Sequence, residues 1–306
     1  MSFSIKENKT ILFALAFIII VGFWQPNVLM DGIQRGSMYA VIALPLALVL
    51  GILGVLNLAH GEFLTVGLYI SYMFYNRFNL DPLLSIIPVS IILLVFGGLI
   101  YLLTVKRVIK EGHLNQLLLT FGISMILLEG VKMIWTTRPR NVFTDYAYAS
   151  ASIGEFSFGT YGLIYLLIAV LVLVFLQLFL KKTRLGQATF AVGQNPKGAR
   201  IVGINVNLVY LFVFSISIAI LGIVGGAMLP RTAIFPAVGS PYSLKSFALA
   251  AMAGLGNLNG ILFAGIILGI GEAIINAIPG YSGWADLVFF GVLIIVILTR
   301  AFREAR

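Results

Sequence analysis

The sequence predicts an all-α fold: a polytopic transmembrane helix bundle of about eight spanning helices plus a broken or re-entrant helix pair. Hydrophobic residues fill 60% of the 306 positions and charged residues only 10%, and the mean hydropathy is +1.05, far beyond what a soluble core requires. Eight or more apolar stretches follow one another, most long enough to cross a hydrocarbon layer of about 30 Å. Too few polar residues separate them for a second, soluble domain, so residues 1–306 are read as one membrane domain. Backbone amides in lipid must be paired internally, so the stretches are helices, or broken helices shielded by neighbours. A barrel would need short alternating strands, which are absent.

In chain order the apolar segments cover residues 11–29, 36–56, 58–75, 83–103, 115–135, 161–180, 208–229, 244–276 and 284–299. Lys6 and Lys9 before the first resemble the start of a secretory signal. The stretch Gln25-Pro26-Asn27-Val28-Leu29-Met30 offers no small-x-small cleavage site, so an uncleaved first helix is expected. The segments at 36–75 and 244–276 are each interrupted by a polar, glycine-bearing turn. In the first it is Asn57-Leu58-Ala59-His60-Gly61-Glu62; in the second, Gly254-Leu255-Gly256-Asn257-Leu258-Asn259-Gly260. At an offset of 200 residues Gly54 aligns with Gly254, Asn57 with Asn257, Phe63 with Phe263 and Leu68 with Leu268, which hints at an internal repeat.

Orientation follows from the lysines and arginines. With the amino terminus in the cytoplasm, thirteen of the twenty fall inside: Lys6, Lys9, Lys106, Arg107, Lys110, Lys181, Lys182, Arg184, Lys197, Arg200, Arg300, Arg303 and Arg306. Arg35, Arg77, Arg138, Arg140, Arg231 and Lys245 fall outside, and Lys132 snorkels from a helix end. Both termini are then cytoplasmic, and Trp24, Trp135 and Trp284 sit at outer headgroup depth. The net charge of +9 is carried by short loops between apolar segments, which speaks for membrane topology and against nucleic acid. The chain has no cysteine, which removes disulfides, thiolate metal sites and cysteine nucleophiles. His60 and His113 lie in different segments without a third ligand, so no metal site is expected.

Corresponding interrupted helices in two halves of a membrane protein point to a transport pathway, because non-helical backbone at membrane depth survives only beside protein or a water-filled cavity. The alternative is a pair of ordinary turns at misplaced boundaries. Acids in hydrocarbon are expensive unless they face a cavity or a partner. Glu129 has Lys132 three residues on, a structural pair. Glu62 lies at the first break beside His60 and Asn57 and either lines a pathway or caps a helix start. Glu272 fits either role, and Asp286 suits the first turn of the last helix. Residues 181–207 carry five positive charges and no acid. They read as a short helix, a break at Asn195-Pro196 and a second short helix. Their small residues suit a docking element, and the plain alternative is a loop that holds topology. There is no Gly-x-x-x-x-Gly-Lys-Ser/Thr phosphate loop and no nucleophile with a base and an orienting acid.

Three stretches together resemble the permease subunits of high-affinity branched-chain amino-acid ABC importers of the LivH type, over roughly residues 30–300. They are Gly54-Val55-Leu56-Asn57-Leu58-Ala59-His60-Gly61-Glu62-Phe63, Ala199-Arg200-Ile201-Val202-Gly203-Ile204-Asn205 and Ala253-Gly254-Leu255-Gly256-Asn257-Leu258-Asn259-Gly260. The resemblance implies a bacterial-type inner-membrane protein that binds no cofactor itself. It works with a second homologous permease, two cytoplasmic ATPase subunits that use ATP, and an external substrate-binding protein. It also implies that the 186–204 stretch is a coupling segment seated in an ATPase cleft. Gly186, Phe190, Gly193, Asn195, Pro196, Ala199, Arg200 and Gly203 are the candidate docking residues, and Asn57, His60, Glu62, Asn257, Asn259 and Glu272 the candidate pathway. Phe190 stands where the family often has arginine, Ala253-Gly254 where it commonly has Gly-Gly, and Thr299-Arg300-Ala301-Phe302-Arg303 where it usually has Pro-x-Gly. Urea or short-amide permeases share the His-Gly-Glu signature, and an ion-coupled carrier acting alone is the rival from another class.

Overall fold

The computed structural model describes residues 25–154, 156–254 and 256–304. The expected first helix falls mainly on residues outside them, as do Lys6, Lys9, Trp24 and Arg306. A new helix, α1, starts at Pro26 and runs to Leu53, so the residues expected to end a first segment at 29 belong instead to this one. Proline supplies its first turn, where a missing N–H costs nothing. Then come α2 (His60–Phe78), α3 (Pro82–Ile100), α4 (His113–Trp135) and α5 (Gly162–Lys182). The short α6 (Arg184–Gln194) and α7 (Pro196–Ile201) precede α8 (Val206–Met228), α9 (Ser240–Ala253), α10 (Leu258–Ala277) and α11 (Ala285–Glu304). Asp81 starts α3 by accepting from Leu83 N at 2.8 Å, and α3 continues through a π-helical turn, Tyr101–Val105, to Val108.

Six helices among the described residues are long and apolar enough to cross a membrane. Which way they face lipid is written in their side chains. On α3 the residues Ser85, Val89, Leu93 and Gly97, four apart, are buried, while Leu84, Ile87, Ile91, Val95 and Leu99 are exposed. On α4 the buried face carries Gln116, Thr120 and Ser124, and the exposed face carries Leu118, Phe121 and Met125. That arrangement is inverted for water, where the exposed leucines would each forgo on the order of 2 kcal/mol of burial, and it is what a lipid solvent selects.

An antiparallel hairpin, β1 (Ser150–Ile153) with β2 (Phe156–Gly159), marks one end of the bundle. It pins the start of α1: Ser157 N donates to Asn27 Oδ1 at 3.2 Å and Gln34 Nε2 to the Gly159 carbonyl at 2.8 Å. Beside it Tyr146 donates to Asp81 Oδ2 at 2.6 Å, and burial together with that carboxylate holds its phenol above the ordinary value. At the opposite, basic end lie Lys106, Arg107, Lys181 and Lys182, at the ends of α3 and α5.

The core is organised around α1, which packs against α10, α9, α5 and α8. Its contact with α10 is a glycine seam. Gly32 and Gly36 on α1 face Gly265 and Gly269 on α10, and a Cβ on Gly36 would lie 2.6 Å from Ile266 Cα. Small-x-x-x-small spacing on both helices lets the backbones touch, which is how helices gain packing energy when lipid supplies no hydrophobic drive between them.

Candidate functional site: two helix starts, a buried charge cluster and a basic handle

The first break forms because α1 ends in left-handed Gly54 (φ 68°), a conformation that suits glycine. The chain then doubles back. Pro45 lies inside α1 and, lacking an N–H, leaves the Val41 carbonyl without its helical donor; one residue on, the Ile42 carbonyl lies 2.8 Å from His60 Nε2. A carbonyl only accepts, so this nitrogen carries the proton. Ile42 stands about 16 Å back along α1 from Leu53 at 1.5 Å per residue, so α2 begins near the middle of the bundle's depth.

A second helix starts at the same place. Gly61 N donates to Ser243 Oγ of α9 at 2.6 Å, and Gly239 N, at the head of α9, donates to Thr65 Oγ1 of α2 at 3.0 Å. Each helix thus satisfies an orphan amide of the other. The exchange requires Gly61 and Gly239 to pack backbone on backbone, since a Cβ on Gly61 would meet the Gly239 carbonyl carbon at 2.6 Å. Glu62 sits at this junction, where two positive helix ends favour a carboxylate. Its Oε1 accepts from Ser240 Oγ at 3.1 Å, while Oε2 is buried beside Ser124 without a well-formed hydrogen bond. Asn57 is buried too: Oδ1 accepts from Ala59 N at 3.2 Å, and Nδ2 has no partner among the described residues.

The second break repeats the first only in part, with Gly254 at ψ 144° where Gly54 has ψ 16°. Gly254 also has positive φ (87°), and its N–H returns to the carbonyl four residues earlier, as that of Gly54 does. Asn257 caps α10, accepting from Gly260 N at 3.1 Å, and Asn259 accepts from Gln177 of α5. Both asparagines are exposed. The structure therefore brings Asn57, His60 and Glu62 together at mid-depth and places Asn257 and Asn259 on the surface at the start of α10. The aligned pairs also divide: Leu68 and Leu268 are both buried, whereas Phe63 is buried and Phe263 exposed.

Glu272 belongs to a cluster that local spacing does not reveal. Lys245, counted by sequence among the outside cations, lies inside α9 and is buried. Its Nζ is 3.0 Å from Glu272 Oε2, 2.9 Å from Asp286 Oδ1 and 3.1 Å from Tyr39 OH. Tyr39 in turn donates to Glu272 Oε1 at 2.8 Å. The ammonium also rests over the rings of Tyr39 and Phe289, 4.4 and 5.0 Å from their centroids. Arg35 pairs with Asp31 at 2.7 Å and reaches within 4.0 Å of Glu272. Asp286, expected to serve the first turn of the last helix, is there and extends an exposed carboxylate to Lys245. A cavity of about 290 Å³ opens beside this group. The partners of Lys245 stand 206 residues away at Tyr39 and 27 away at Glu272. The available signal was the rarity of ionisable residues in apolar helices, which must find one another.

At the basic end, α6 and α7 form a helix, break and helix. Thr183 caps α6 through Gly186 N at 2.9 Å, and Asn195 caps α7 through Gly198 N at 2.9 Å, with Pro196 in the first position. Gly186, Thr189, Val192 and Ala199 are buried toward the bundle. A Cβ on Gly193 would come 2.8 Å from Ile52 Cδ1, so this glycine is the seat of the handle on α1. Gly203 ends the handle at φ 85°. Outward face Phe190, Ile201 and Val202, 58%, 87% and 75% exposed, beside exposed Arg200. Glu129 and Lys132 form their expected pair at 2.7 Å.

The chain is 27% identical to the high-affinity branched-chain amino acid transport system permease protein BraD of Pseudomonas aeruginosa, covering 89% of this chain and 92% of that protein. It is 28% identical to the permease protein LivH of Escherichia coli, covering 88% and 91%. It is 29% identical to the probable branched-chain amino acid transport permease protein LivH of Methanocaldococcus jannaschii, covering 90% and 89%. A family model described as branched-chain amino acid transport system / permease component matches residues 28–298, and the chain belongs to that family.

Proposed function

We propose that this chain is the membrane-spanning permease subunit of an ATP-binding cassette importer for branched-chain amino acids and works by alternating access. The relatives' names support the substrate class. The observation that carries the mechanism is the α6–α7 handle. Three apolar side chains, Phe190, Ile201 and Val202, point outward from a short two-helix unit at the basic end, while its other face is keyed into α1 at Gly193. An exposed apolar face rimmed by cations, next to lysine-rich helix ends, suits insertion into another protein.

On this reading the basic end is cytoplasmic, both termini are cytoplasmic, and a second homologous permease, two ATPase subunits and an external binding protein complete the importer. ATP is used by the partners. Their closure pulls on the handle and displaces α1, so differential contact energy between two bundle states switches the pathway. Phe190 and Arg200 supply docking contact. Asn195, Pro196 and Gly203 shape the handle, and Gly186, Gly193 and Ala199 seat it. Asn57, His60 and Glu62 line the pathway where the two helix starts meet, Glu272 lies nearer the hairpin end, and Asn257 and Asn259 stand at the basic mouth.

The test is Gly203→Val, which forces a β-branched residue into left-handed backbone. The expected result is loss of ATP-dependent leucine uptake by the reconstituted importer with normal membrane insertion of the chain. Unchanged uptake refutes the coupling role, and gradient-driven uptake by the chain alone refutes the importer assignment.

A further inference from the structure

Lys245, Glu272 and Asp286 form a cluster of one cation and two acids. Lys245 and Glu272 are buried and mutually hydrogen-bonded, with Tyr39 donating to the glutamate and accepting from the lysine. Asp286 differs: its side chain is 69% exposed, yet it makes the shortest ion contact to Lys245, 2.9 Å. Of the two acids paired with Lys245 among the described residues, it is the exposed one. The adjoining cavity, about 290 Å³, lies at the small end of ligand cavities, roughly 300–1,000 Å³. Its polar corner is Lys245, Asp286 and the Tyr39 edge, and its remaining wall includes Phe235, Val238 and Pro241. A charged pair at one corner of an apolar cup matches a molecule with a cation, an anion and a hydrocarbon side chain on neighbouring atoms.

We propose that this cavity is a site at which the permease itself holds the zwitterionic head of a small apolar amino acid. The ligand carboxylate takes the place of Asp286 on Lys245, the ligand ammonium pairs with the released Asp286 carboxylate, and the side chain lies along Phe235, Val238 and Pro241. This rests on the import reading above and adds the place of contact. Charge balance selects the ligand. A zwitterion exchanges one ion pair for two, whereas a plain carboxylate only swaps one anion for another on Lys245 and a plain amine gains Asp286 alone while Lys245 repels it. The fixed part of the site, Glu272 on Lys245 with both aromatic rings over the ammonium, keeps the cation in place when Asp286 leaves.

The chain contains no cysteine, so Thr232→Cys, at a half-buried position on the cavity wall, gives a single reporter on this polypeptide. The assembled permease–ATPase complex in nanodiscs, without binding protein, is treated with a water-soluble thiol reagent, and labelling of this chain is followed in time. Millimolar leucine is expected to slow labelling several-fold, while its decarboxylated amine, 3-methylbutylamine, and its deaminated acid, 4-methylpentanoate, have little effect. Lys245→Gln abolishes the protection. Asp286→Asn, an exposed change that spares the fold, weakens protection by leucine and lets 4-methylpentanoate protect. Unchanged labelling with leucine, equal protection by all three compounds, or protection indifferent to Asp286→Asn overturns the proposal. ATP-driven leucine uptake by the wild-type importer is measured alongside. Uptake without protection removes this site alone, and protection without uptake removes the import reading alone.

Discussion

Replacing Gly36 by alanine tests the packing on which both halves of the molecule depend. The added Cβ would sit 2.6 Å from Ile266 Cα and also against the Gly265 carbonyl. Ordinary carbon contacts begin near 3.5 Å, so the overlap is about 1 Å. The obstacle is backbone, which cannot rotate aside as a side chain would. Helices α1 and α10 must therefore part by about that distance over a turn, an overpacking cost of about 1–3 kcal/mol. Alanine also gains up to about 1 kcal/mol over glycine in a helix, which would mask part of the loss. Gly122→Ala removes the ambiguity, because nothing lies within 4 Å of a Cβ at Gly122 in α4 and the propensity gain is the same. The difference between the two variants isolates the clash. In detergent-solubilised protein Gly36→Ala should unfold a few degrees below Gly122→Ala, on the order of 2 °C per kcal/mol for a chain of this size. Coincident melting curves would mean that α1 and α10 do not meet through Gly36 and Gly265.

The charge cluster and the handle give two further expectations. Lys245→Met leaves buried Glu272 with Arg35 at 4.0 Å as its remaining cation and should lower stability by about 3 kcal/mol, whereas the double variant Lys245→Met/Glu272→Gln recovers most of it. Chemical denaturation of the four members of the cycle measures this, and a double variant as unstable as the single one contradicts the pairing. Asn195→Ala removes the hydrogen bond from Gly198 N and should weaken ATP-driven uptake through about 1 kcal/mol of lost capping. Asn195→Ser, which can still cap, should restore uptake if shape is the role, and failure to restore it would assign the asparagine to direct contact with the ATPase.

What the sequence discloses here depends on how far apart the cooperating residues are. The breaks were legible because their causes are local: a positive-φ glycine at Gly54 and Gly254, then an asparagine whose side chain serves the next few amides. The handle was legible for the same reason, with Asn195 and Pro196 announcing the start of α7. The place of Glu62 in the first turn of a helix is local and readable, but not that Ser240, 178 residues on, would share it with a second start. Counting positive residues gives Lys245 a side of the membrane but no partner and no burial. Only the fold, by laying α9 beside α1, α10 and α11, shows that its stem turns inward to two acids. The glycine seam was equally hidden, since Gly32-x-x-x-Gly36 means little until Gly265-x-x-x-Gly269 is set against it.

That seam restricts how transport can proceed. Where backbones interlock at four glycines, sliding one rod along the other drives a carbonyl into an α-carbon at once, so α1 and α10 travel as a welded strut, carrying Tyr39 and Glu272 with them. Whatever swings during a cycle must hinge elsewhere: at the glycine joints that tie each rod to its neighbour at the basic end, Gly54 after α1 and Gly254 between α9 and α10, and where α11 presents Asp286 from a helix outside the weld.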